Sequence, residues 1–65
     1  MNIFDECSPM ELRILEFFAK AFKENPQGLK ASLLNVDFVD RARTIAFIKV
    51  RVPDLGEDIE RLVYE

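Results

Sequence analysis

Asp54, Glu57, Asp58 and Glu60 form the densest group of potentially reactive side chains in this 65-residue sequence. Paired carboxylates can divide general acid and general base work between them, or hold a divalent cation. On a helix, Asp54 and Asp58 would lie one turn apart. A calcium loop, however, needs oxygen ligands at regular loop positions around a turn glycine, and no segment here has that pattern. The simpler account is a helix start whose negative charges suit the dipole, with an acidic face in water.

Cys7 is the second group that could react. It precedes a helix start, where a thiolate is favoured. It is also the only cysteine, so no resolving thiol accompanies it, and the residue before a cap commonly packs on the first helical turns, here on Leu12. The sequence contains no histidine, which removes the usual acid–base group at neutral pH and any Ser–His or Cys–His nucleophile. With only Gly28 and Gly56, no glycine-rich phosphate loop can be assembled. The reading is a non-enzymatic chain with no catalytic residue, no cofactor and no metal site.

Residues 41–51 carry Arg41, Arg43, Lys49 and Arg51 without an acid. In an extended strand Phe47, Lys49 and Arg51 share one face. A basic surface with an aromatic ring binds single-stranded nucleic acid by phosphate contact and stacking. Arg41, Arg43, Phe47, Lys49 and Arg51 are therefore the candidate contacts of a nucleic-acid-binding accessory protein. The formal net charge of −3 favours the other account, charges that guard an exposed strand edge.

Val39, Ile45 and Phe47 fall together on the outward face of the same strands. Clustered exposed apolar groups mark interfaces, so these residues, with Leu12 and Leu15, are the candidate protein interface.

The elements that place these groups follow from periodicity. Ser8-Pro9-Met10-Glu11 has the signature of a helix start, with a capping serine, proline at the first helical position and glutamate three residues after the cap. A helix is predicted over 9–24, after a leader at 1–7 whose Ile3 and Phe4 fold back on the core or a neighbour. Asn25-Pro26-Gln27-Gly28 ends it. The helix carries one apolar stripe (Met10, Ile14, Phe17, Phe18, Ala21, Phe22) and a second beside it (Leu12, Leu15, Ala19). An ordinary amphipathic helix buries a stripe only a little over 100° wide, so this one needs cover on two sides.

Leu34, Val36 and Phe38 alternate with polar residues, and Ala46, Ile48, Val50 and Val52 continue on even positions. Period two predicts strands at 30–39 and 44–52 joined as a hairpin. The shared parity pairs Phe38 with Ala46, Val36 with Ile48 and Leu34 with Val50. Pro53 ends the second strand and Asp54 caps a helix over 55–64, with Leu55, Ile59, Leu62 and Val63 on one stripe. The predicted fold is α+β: one α-β-β-α domain over 1–65, a two-stranded antiparallel hairpin with both helices on one face.

A chain this short rarely gains more than about 3–5 kcal/mol from one core and commonly relies on a staple. Neither a disulfide within the chain nor a zinc site is available. The expectation is a small protein-interaction module (adaptor, inhibitor or assembly subunit) bound to itself as a homo-oligomer or to another protein. The acidic N-terminus is unlike a signal peptide, no stretch is long enough to span a membrane, and the single thiol suits a reducing compartment. A cytoplasmic location without membrane contact is expected.

The capping motif yields the first prediction. Ser8→Ala should lower stability by about 1 kcal/mol, the usual loss at a good N-cap. Chemical denaturation followed by circular dichroism measures it, and an unchanged midpoint would place the helix start elsewhere.

Overall fold

The computed structural model describes residues 8–65. The leader at 1–7, with Ile3, Phe4 and Cys7, lies outside them. Ser8 is extended, and its Oγ accepts the Glu11 amide hydrogen at 3.1 Å. From this cap α1 runs over Pro9–Glu24, the span the motif predicts. The reciprocal half of the capping box is not formed, because the Glu11 carboxylate turns instead to Arg51.

Asn25 is the single residue between α1 and α2, which spans Pro26–Leu34. Its amide donates to the Ala21 carbonyl at 2.8 Å, which closes α1. Its Oδ1 accepts the Gly28 amide at 3.1 Å, which opens α2. The stop signal at 25–28 is thus also a start signal, with Pro26 at the first helical position. Gly28 leaves room for the cap: a Cβ there would lie 2.4 Å from Asn25 Nδ2.

The α+β expectation is overturned at this point. The segments assigned to strands at 30–39 and 44–52 are helical over most of their length, and no strand forms among the described residues. After a break at 35–37, α3 runs over Phe38–Arg51, and α4 runs over Pro53–Tyr64. The pairings of Phe38 with Ala46, Val36 with Ile48 and Leu34 with Val50 therefore do not exist. Pro53 starts a helix rather than ending a strand, and Val52 occupies the cap position expected of Asp54. Among the described residues the architecture is all-α, four helices in sequence.

The physical reason is that residues 41–52 satisfy two periods. Even positions give the alternation Ala46, Ile48, Val50, Val52. Spacings of four, three and four give Arg41, Ile45, Ile48, Val52, one face of a helix. Burial decides between them: Ile45 and Ile48 are 3% and 0% exposed, whereas Val50 is 73% exposed. Leu29 and Leu33, four apart on α2, are buried in the same way.

The core consists of Leu15, Leu29, Leu33, Ile45, Ile48, Ile59 and Val63, with Phe18, Phe22, Phe47, Leu55 and Leu62 packed around it. Ile48 of α3 and Ile59 of α4 are fully enclosed. Their helices approach closely where Gly56 of α4 meets Lys49 of α3. A Cβ on Gly56 would lie 2.5 Å from the Lys49 Cα and 2.6 Å from its backbone nitrogen. A backbone, unlike a side-chain tip, cannot swing aside. Lys49 Nζ also reaches Glu60 at 3.2 Å across this crossing.

Gly56→Ala tests the crossing. Alanine gains about 1 kcal/mol of intrinsic helix propensity over glycine, but overpacking of a tight contact costs typically 1–3 kcal/mol. The expected net result is destabilisation, larger for Gly56→Val, read as a lower thermal midpoint. A stabilised Gly56→Ala variant would refute the close approach.

Candidate functional site

The apolar excess on α1 has a geometric outcome. Leu15 is the buried side chain of this helix, with Leu12, Phe18, Ala21 and Phe22 half-buried. Met10, Ile14 and Phe17 are 64%, 37% and 64% exposed. They stand at spacings of four and three, one seam along the helix surface. The first of the two apolar stripes is thus divided, and Met10, Ile14 and Phe17 face solvent.

Phe17 of this seam lines a groove of about 440 Å³ together with Phe18, Ala21, Leu29, Leu33 and Val36, and with the polar residues Asn25, Ser32, Asp40 and Thr44. A shallower hollow of about 310 Å³ continues it along Ile14, Phe18, Arg43, Thr44 and Phe47. Both share Phe18 and Thr44, so the depression follows α1 and α3 together. The helices run antiparallel along it: Ile14 lies near Arg43 and Phe47, and Ala21 and Asn25 lie near Asp40 and Val36. Thr44 Oγ1 donates to the Asp40 carbonyl at 2.8 Å, which keeps the hydroxyl satisfied on the apolar wall. A predominantly apolar concavity with a few polar edges is the usual form of a binding site.

One ion pair ties α1 to α3. Arg51 Nε donates to Glu11 Oε2 at 3.1 Å, Arg51 Nη1 donates to the Phe47 carbonyl at 3.2 Å, and the guanidinium stands 3.9 Å from the centre of the Phe47 ring. The planar cation both pairs and stacks, which a lysine ammonium does not reproduce.

The chain matches no family model, no curated protein and no solved structure. The site is therefore read from its own chemistry.

The residues singled out as a protein interface separate. Leu15 and Ile45 are core residues at 6% and 3% exposure and present no surface. Leu12 is half-buried. Phe47 forms part of the shallower hollow beneath Arg51. Val39 is exposed, one turn before Arg43 on α3. The patch of Val39, Ile45 and Phe47 depended on a strand face that does not exist.

Helical geometry also divides the basic group. Arg43, Phe47 and Arg51 follow at i, i+4 and i+8 on one side, and Arg41 and Lys49 fall on another. Lys49 pairs with Glu60 and Arg51 with Glu11. Arg41 lies 5.9 Å from the Phe38 ring centre, and its buried Nε has no hydrogen-bond partner among the described residues. Of the five, Arg43 is exposed and the other four are half-buried.

The C-terminal acids disperse too. Glu60 faces Lys49, and Asp58 accepts from Arg61 Nη2 at 2.9 Å. No cluster of three metal-binding side chains occurs among the described residues. Nor is any helix there long and apolar enough to cross a membrane.

A double-mutant cycle with Glu11→Gln and Arg51→Met, each of which removes one charge of the pair, measures the tie between α1 and α3. A partly exposed pair contributes at most about 1 kcal/mol, so a coupling of roughly 0.5–1 kcal/mol is expected, weakened by molar salt. Zero coupling at low salt would show that the pair does not hold α1 in place.

Proposed function

We propose that this chain is a small non-catalytic protein-interaction module, and that its docking surface is the groove between α1 and α3. The occupant is the apolar face of an amphipathic helix. One observation carries the reading: Phe17 and Ile14, exposed at helical spacing on α1, line an apolar groove of about 440 Å³ and the hollow that continues it, with Met10 exposed one turn before Ile14. Val36, 42% exposed, extends the wall on the opposite side.

The seam favours a helix over other ligands. Spacings of four and three are those at which one helix presents side chains to another. The groove is bordered along its length by two helices, so a third can lie between their ridges, the helix-in-groove mode of recognition. Large aromatic side chains such as Phe17 give such surfaces their energetic centre. Adaptor, inhibitor and assembly subunit are all tasks of this kind.

A display library of amphipathic helical peptides tests the reading directly. Selected peptides should bind the purified chain, and Phe17→Glu and Val36→Glu should each abolish binding, since both place a charge in a desolvated contact. Val50→Glu and Tyr64→Glu, on exposed residues that do not line the groove, should leave it intact. Peptides that bind equally well to the Phe17 and Val36 variants would refute the assignment of the surface. So would a library that yields no binder.

A further inference from the structure

Residues 1–7, outside the described residues, join them at Ser8, and the exposed seam of α1 begins two residues later. Ser8 has an extended backbone, and Met10, Ile14 and Phe17 follow it at 64%, 37% and 64% exposure. The rise of a helix places Ile14 about 9 Å and Phe18 about 15 Å along α1 from Ser8. A chain that turns back at Ser8 advances at most roughly 3.3–3.6 Å per residue, so Phe4 reaches about 14 Å and Ile3 about 17 Å. The hollow of about 310 Å³ formed by Ile14, Phe18, Arg43, Thr44 and Phe47 lies within this reach.

The charges match as well. Residues 1–7 carry Asp5 and Glu6 and no basic side chain. Arg43 is the charged residue that lines the hollow. It is exposed and enters no ion pair among the described residues. On α1, Arg13 and Lys20 stand seven apart, both exposed, beside the seam. The carboxylates of the two helices lie elsewhere or are engaged. Glu11 is held by Arg51, and Glu16 projects about 200° around the helix from Ile14. Asp40 borders the wider groove, one turn of α3 away, and Glu24 stands in the last turn of α1. A short acidic segment with two large apolar residues is thus complementary to an apolar hollow with a basic border.

We infer that residues 1–7 are an intramolecular strap. They turn back along the start of α1, seat Phe4 in the hollow with Ile3 beside it, and bring Asp5 and Glu6 to the basic border formed by Arg13 and Arg43. The strap covers one end of the docking surface, so a visiting helix must displace it. This rests on the reading of the groove as a helix-docking surface and supplies its regulation. A tethered segment acts at an effective concentration on the order of mM, so contacts too weak to hold a separate heptapeptide suffice. A strap seated in about nine molecules of ten raises the apparent dissociation constant of a visiting helix about tenfold.

Nuclear Overhauser spectra of the full chain should show contacts from the Phe4 ring to the Ile14 methyl groups and the Phe47 ring. In a mixture of labelled and unlabelled chains these contacts should remain within single molecules. Phe4→Ser should leave the helical circular dichroism unchanged and tighten binding of a groove-selected helical peptide about tenfold. Asp5→Lys with Glu6→Lys should act in the same direction by about threefold at low salt, and less in molar salt. Absence of the Phe4 contacts overturns the inference, as does a peptide affinity indifferent to Phe4→Ser. Contacts found only between copies overturn it too, since the occupant is then the leader of a second chain. If no helical peptide binds while Phe4 still touches Ile14 and Phe47, the docking reading fails and the strap stands. If peptides bind and the Phe4 contacts are missing, the docking surface stands and the strap is wrong.

Discussion

The structure depends on the close crossing of α3 and α4 at Gly56. A side chain there would enter the space of the Lys49 backbone, and without it the two helices can enclose Ile48 and Ile59 completely. Close packing of this kind makes the interior sensitive to a single carbon. α2 adds Leu29 and Leu33 to the pair, and the Lys49–Glu60 bridge lies over its edge. The helix pair is the platform, and α1 is attached to it by Leu15, the half-buried phenylalanines and the Glu11–Arg51 bridge. This order of dependence explains why apolar side chains remain at the surface. The platform has room for one side of α1, while the sequence of α1 is apolar on two.

The first helix was legible because three local signals coincide at Ser8, Pro9 and Glu11. The excess width of its apolar surface was legible as well, although not which part would face inward. The middle of the chain was not legible as helix. Even-numbered apolar residues from Leu34 to Val52 imitate a strand pair, and Val and Ile carry strand preference that tertiary context overrides. The helical face of Ile45, Ile48 and Val52 was present in the same residues. Asn25 preceding Pro26 was a second cap motif, concealed because its residues also read as a terminator. Gly28 added to the disguise, since it serves the cap rather than a turn.

The candidate site was legible only in part. Phe47 and Val39 were singled out through a face that helical geometry dissolves. Phe47 still borders the shallower hollow because of its size and its contact with Arg51. Met10, Ile14 and Phe17 were legible as part of an apolar stripe, but period and apolarity cannot say which of two stripes finds a partner within the chain. Their exposure follows from the placement of α2 and α3, which local pattern does not encode. The basic group shows the same limit: five residues that would share a strand surface are sorted by the helix into two sides, and intramolecular pairs occupy two of them.

Asn25 has one further consequence. A single residue closes α1 and opens α2, with its amide on Ala21 and its side chain on Gly28. Such a joint has no slack. Swinging α1 away from the platform would break both caps at once, each hydrogen bond contributing about 1 kcal/mol, and would expose Leu15 as well. The wall that α1 gives to the groove is therefore braced against α2. Ordering of loops and side chains is a main cost of association, and a surface braced in this way leaves little of that cost to be met at the moment of contact.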